Sequence, residues 1–242
     1  MSMHLQQEIE NLKSKLLALV ATAKGAVEMA VKSVDERDAP LAQAVVEGDF
    51  AIDRAEVELE EDCLKILALY QPVATNLRVI ISVMKIDNDI ERIGDLAVNI
   101  AERALFLCGE PPIHAPSDLA DMRVKALAML TGSLDALVHL DVKRAREVRT
   151  SDDEVDDINR QLFREFSAAV QKNPEQVEGL LSYLSVGRHL ERIADYATNI
   201  AEDVIYLMEG EIVRHKPTVP SPATNEDILH FSLATAPGKS RT

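Results

Sequence analysis

The twelve residues ERIGDLAVNIAE at 91–102 return as ERIADYATNIAE at 191–202, with nine letters identical. A chain that carries one amphipathic stretch twice, a hundred residues apart, is constrained to fold as two copies of a single unit. A weaker match lies upstream, where FAIDRAEVEL at 50–59 can be laid over DEVDDINRQL at 153–162, with Asp53 over Asp156. Apolar residues recur at steps of three and four, as in Leu5, Ile9, Leu12, Leu16, Leu19, Ala23, Ala26 and Ala30, which is the helical period.

Breaks delimit the helices. The first is expected over about 5–34, the second from Leu41 to Tyr70 with an interruption at Gly48-Asp49, and the third over about 73–107. GEPPIHAP at 109–116 is a linker. The plan then repeats over 117–139, 142–171 and 175–211. The expectation is an all-α protein of two tandem three-helix bundles, 1–108 and 117–215, followed by a flexible tail at 216–242 rich in Pro, Ser and Thr. Aromatics at 4% and the absence of Trp suit helix-on-helix packing. LLALVATA at 16–23 is too short to span a bilayer and, with acids before it and no cleavage site after it, reads as helix. Cys63 and Cys108 read as reduced thiols on apolar helix faces.

Residues four apart on a helix share a face, so Glu91 projects beside Asp95, and Glu191 beside Asp195. Asp87 and Asn99 extend the first stripe, and Asn199 the second, where position 187 is Gly. Antiparallel pairing about the turn at Gln71-Pro72 brings Asp53 level with Glu91 and Asp49 with Asp95. The same count in the second half brings Asp156 level with Glu191 and Asp152 with Asp195. Four carboxylates at one height, with no Lys or Arg on the motif face, call for compensating positive charge, and hard cations with oxygen ligands supply it. An isolated ExxxD would read as a solvated face; the duplication moves the reading to a site. Asp49 and Asp152 have a rival reading as helix starts, Asp49 after Gly48 and Asp152 in a Ser151–Glu154 capping box. Arg92 and Arg192 read as ion-pair partners for the second helix of each half, and KRAREVR at 143–149 as the basic end of a helix segment.

A net charge of −15 excludes nucleic acid and anionic membrane as partners, and no run is long enough for membrane insertion. The alternative of a carboxylate-bridged metalloenzyme needs Glu-x-x-His on two helices, and none of the six histidines has Glu three residues before it. Phosphate-binding loops and nucleophile motifs are also missing.

MKIDNDIERIGDLAVNIAE (84–102), GRHLERIADYATNIAEDVIYLMEG (187–210) and YQPVATNLR (70–78) together resemble the PhoU family over about residues 5–212. The resemblance implies a cytoplasmic, non-enzymatic, often homodimeric protein. It implies negative regulation of the phosphate regulon by coupling the ATPase subunit of the phosphate ABC transporter to a sensor histidine kinase. It also implies E(D)xxxD motifs that hold multinuclear iron or zinc clusters in some members, matched here by Glu91-Asp95 and Glu191-Asp195 with Asp49-Asp53 and Asp152-Asp156 opposite. Oxygen-only ligands admit manganese or magnesium as well. The chain departs from the family pattern where KNPEQV replaces a second QPVA turn, and in its tail.

Overall fold

The computed structural model describes residues 3–214, and the expected tail at 216–242 lies outside them. Six helices carry the fold: α1 (Met3–Glu36), α2 (Ala39–Tyr70), α3 (Ala74–Gly109), α4 (Asp118–His139), α5 (Val142–Lys172) and α6 (Val177–Glu209). A short 3-10 turn, Pro174–Gln176, precedes α6. The fold is all-α, as the period predicts. Within the first repeat α1, α2 and α3 pack on one another, as α4, α5 and α6 do in the second; α3 against α6 joins the two.

That junction explains why α3 and α6 bury more residues than any other helix. Each must bury one face against its own bundle and another against its twin. Ile86, Ile90, Ile93 and Ile100 of α3 are each 1% exposed or less. Burying a side chain of that size contributes about 1.5–3 kcal/mol. Leu190, Ile193, Ala197 and Ile200 of α6 are as deeply buried.

The interruptions expected inside α2 and α5 do not occur. α2 is continuous through Gly48-Asp49, and α5 through Ser151-Asp152. The N-caps lie earlier: Asp38 accepts from the Leu41 amide at 2.9 Å, and Asp141 from the Arg144 amide at 3.0 Å. Ser151 forms no capping box; its hydroxyl donates back to the Glu147 carbonyl at 3.2 Å. Asp49 and Asp152 therefore stand in helix interiors with their side chains released from capping. KRAREVR likewise opens α5 rather than ending a segment, and Arg146 and Arg149 cross to α6, pairing with Glu209 at 2.7 Å and Glu202 at 3.1 Å. Leu16, Leu19, Val20 and Ala23 of LLALVATA are buried in α1. Cys63 is buried and Cys108 half-buried, and both are free.

Candidate metal centres

The duplicated motif places Glu91 and Asp95 along α3 against Asp49 and Asp53 of α2. Glu191 and Asp195 of α6 stand in the same way against Asp152 and Asp156 of α5. Proximity shows in the electrostatics. Burial first, then the charges of Asp53 and Asp95, hold the Asp49 carboxyl above the usual carboxylate range. Glu91 is raised by burial, by Asp95, and then by Glu56 and Asp53, with Arg92 opposing. In the second repeat, burial and then Glu191, Asp152 and Asp156 push Asp195 up to about 6, although the residue as a whole keeps contact with solvent. Burial and Asp156 raise Glu191, while a hydrogen bond from Asn159 opposes. All eight predicted carboxylates are thus brought together, four in each repeat.

Two details set the repeats apart. A methyl added to Gly94 would lie 3.1 Å from two carbons of Ile52 and 3.8 Å from Asp49 Oδ1, so the bare backbone of α3 lets α2 approach at the height of the site. In the second repeat Ala194 and the smaller Val155 occupy those places, and both are buried. Thr198 donates to Asp152 at 3.2 Å. Val98 stands at the equivalent place in α3, and Asp49 Oδ1 is left buried without a hydrogen-bond partner.

The asparagines do not extend the stripe. Eight residues along an α-helix turn about 80° past alignment, whereas seven fall about 20° short. Asn199 accordingly faces α3, where it hydrogen-bonds Asp89, and Thr198 takes its expected place. Asn99 donates to the Asp95 carbonyl at 2.8 Å. Arg92 and Arg192 pair with no acid of the neighbouring helix; Arg92 donates to Asn88 at 3.0 Å. Their side chains point off the face that meets α2 and α5.

Asp87 does extend the first stripe, as its spacing predicts, but the sequence reading missed its burial and the acids Glu56 and Glu60 that face it from α2. Asp87 is 1% exposed, its Oδ1 has no partner, and burial followed by Glu56, Glu60 and Glu91 pushes it up to about 8. Cys63 beside it is driven up to about 12 by burial and then by Asp87. The signal was present, because Asp49, Asp53, Glu56 and Glu60 follow steps of four, three and four along α2. Asp89, on the α3–α6 seam, is raised to about 6 by burial and then by Asp203.

The donor chemistry fits a hard cation: oxygens alone, crowded like charges, and a buried Asp49 oxygen with nothing to bond. Among the described residues, however, no three His, Cys, Asp or Glu side chains stand in a geometry that would hold a metal ion. His189 Nδ1 is buried and unpartnered, but its ring lies near Arg192, Arg103 and Arg188 rather than with the acids.

The family model that matches is the PhoU domain, which matches twice, at residues 16–104 and 119–204. The phosphate-specific transport system accessory protein PhoU homolog of Aquifex aeolicus is 38% identical over 88% of the chain and 97% of that protein. The crystal structure of PhoU from Pseudomonas aeruginosa superposes with a TM-score of 0.81 at 37% identity, covering 85% of this chain and 99% of that one. The phosphate transport system regulatory protein PhoU from Streptococcus pneumoniae superposes at 0.79 with 30% identity, covering 86% and 99%. The chain belongs to the PhoU family, accessory and regulatory proteins of phosphate transport rather than enzymes.

Proposed function

We propose that the protein is a negative regulator of the phosphate-starvation response in the cytoplasm. In this role it couples the ATPase subunit of the phosphate ABC transporter to a sensor histidine kinase, and two acidic metal sites hold its bundles in the competent form. The observation that carries this reading is the matched pair of four-carboxylate clusters, one inside each PhoU domain. Asp49, Asp53, Glu91 and Asp95 would hold one cation group, and Asp152, Asp156, Glu191 and Asp195 the other. A bound iron, zinc, manganese or magnesium ion supplies the positive charge that lets four carboxylates share one seam. The carboxylates in turn tie α2 to α3 and α5 to α6, and the stiffened bundles present the docking faces. Family membership supports the transporter partner, and a homodimer is the assembly this reading expects. No helix among the described residues is long and apolar enough to cross a membrane, which accords with a role beside the transporter rather than within it.

The test combines regulation with metal content. In cells lacking their own copy, the wild-type chain is expected to restore repression of a phosphate-starvation reporter in phosphate-rich medium. It is expected to carry more than one transition metal per chain on elemental analysis. A variant with Ala at Glu91, Asp95, Glu191 and Asp195 is expected to lose the metal and weaken repression while remaining helical. A wild-type chain that leaves the reporter derepressed would overturn the regulatory reading. A chain that stays metal-free in added iron, zinc or manganese would overturn the metal sites.

A further inference from the structure

Where the first repeat continues its acidic seam past Glu91, the second reverses sign. An open groove of about 450 Å³ between α5 and α6 is lined by Asn159, Arg160, Phe163, Arg164, Leu184 and Arg188. The repeat itself supplies the comparison. In the first domain the places of Asn159, Phe163 and Arg164 are held by Glu56, Glu60 and Glu61, and those of Arg160 and Arg188 by Val57 and Asn88. Three acids are thus replaced by none, and no base by three arginines, in a chain whose net charge is −15. Arg160 pairs with Asp157, and Arg188 lies near Glu191, one turn ahead of it. Arg164 and Arg188 make no hydrogen bond or ion pair among the described residues, so their planar donor forks are available. Phe163 lines the same groove, 59% exposed, its ring 6.4 Å from that of Phe166. An aromatic ring left in water beside unpaired guanidinium groups contributes little to folding.

We infer that this groove binds a phosphorylated small molecule with a planar ring, of the nucleotide class. Guanidinium forks match phosphate oxygens in paired hydrogen bonds, which places the phosphates between Arg164 and Arg188. A base has a flat face for Phe163, and stacking of that kind tolerates any base. The groove's size falls within the range of small-ligand sites. Nucleic acid is disfavoured, because three cations cannot offset the field of the whole chain along an extended polyanion. The groove adjoins the second cluster, where Asn159 hydrogen-bonds Glu191, but none of the eight carboxylates lines it, and its ligand needs no cation from them.

Calorimetric titration of the full chain in chelator at low salt, with ATP, tripolyphosphate and adenosine in turn, tests the inference. Chelation keeps the carboxylate clusters from bridging to phosphate, so a failure here leaves the regulatory reading standing. The expected result is one saturable ATP site per chain, tripolyphosphate at least fivefold weaker, and no adenosine binding. Arg164→Gln with Arg188→Gln is expected to weaken ATP at least tenfold. Phe163→Ser is expected to bring ATP down to the tripolyphosphate level and leave tripolyphosphate unchanged. Arg144→Gln, at the first turn of α5, serves as a charge control and is expected to leave ATP affinity intact. These side chains are exposed, and unchanged circular dichroism confirms that the variants fold. Absence of saturable ATP binding at millimolar concentration, indifference to the paired arginine change, or equal affinity for ATP and tripolyphosphate would each overturn the inference.

Discussion

Gly94 and Ala194 are one of the three differences between the two copies of the motif, and their surroundings explain the letters. Ile52, 2% exposed, fills the space in front of Gly94; Val155 leaves room for the methyl of Ala194. A helix-interior Gly→Ala change gains about 0.5–1 kcal/mol of backbone stability. At Gly94 the new methyl would press on both Cγ2 and Cδ1 of Ile52, and while Cδ1 fills the space beside it the side chain has no room to turn Cγ2 away. Gly94→Ala alone is therefore expected to destabilise, and Ile52→Val alone to cost about 0.5–1.5 kcal/mol as a truncation. The double variant, which copies the second repeat, should recover wild-type stability or better. A denaturant double-mutant cycle showing additive effects would refute this account. Asp87 offers a second case. It is a buried carboxyl with an oxygen that no donor reaches, so Asp87→Asn should raise stability at pH 8 by about 1–3 kcal/mol. The gain should shrink toward pH 4, where wild-type Asp87 is protonated. At this scale the eight acids were legible because four-residue spacing is a short extrapolation. Asn199 was misread because the helical phase error doubles over eight residues.

The helices themselves show where local signals mislead. Gly48 and the Ser151–Glu154 pair both resemble helix boundaries, yet α2 and α5 run through them. Packing outweighs them: Val45 and Ile52 flank Gly48 with 2% exposure each, and Val148 and Val155 flank Ser151 with 4% and 1%. One buried anchor on each side holds the helix through the weak position between them. The true starts were written equally plainly, since Asp38 and Asp141 hold equivalent places ahead of α2 and α5 and each caps its helix. Sequence alone ranks such signals only by type, whereas the fold ranks them by what lies on either side. Gly48 is exposed, and a methyl there would meet nothing within 4 Å. Gly48→Ala is accordingly expected to stabilise by about 0.5–1 kcal/mol, read as a higher denaturation midpoint with unchanged slope. A loss of stability would mean that α2 bends or opens at Gly48.

Across the whole molecule, acids are held close to acids. The sequence announced the two bundles, but not that α3 and α6 would join them, because an apolar residue does not declare which neighbour covers it. The seam there is pinned by Lys85 of α3 to Asp203 of α6 at 3.0 Å, and Arg214, just past the end of α6, joins the same carboxylate at 3.5 Å. Elsewhere the carboxylates crowd one another, and burial and mutual repulsion raise them: Asp87 to about 8, Asp89 and Asp195 to about 6, with Asp49, Glu56, Glu91, Asp152 and Glu191 shifted the same way. A carboxyl raised in the folded chain keeps its proton at a pH where the unfolded chain has lost it. Stability therefore falls as pH rises from the unfolded value near 4 through the folded value, and returns on acidification. Asp62, lowered chiefly by its bond to Lys15, works the other way only in more acidic solution, and His189, lowered by burial and then by Arg192, Arg103 and Arg188, works the other way near its unfolded value of 6.5, but the raised carboxyls outnumber them. Chelated protein should thus melt at a higher temperature at pH 5.5 than at pH 8 under constant salt. Excess magnesium or manganese should raise the melting temperature strongly at pH 8 and weakly at pH 5.5, because cation and proton compete for the same oxygens. Replacing Glu91, Asp95, Glu191 and Asp195 by Ala should flatten both responses, leaving the slope due to Asp87 and Asp89. A chelated wild-type protein that loses stability between pH 8 and pH 5.5 would show that the acids are solvated surface charges rather than crowded sites.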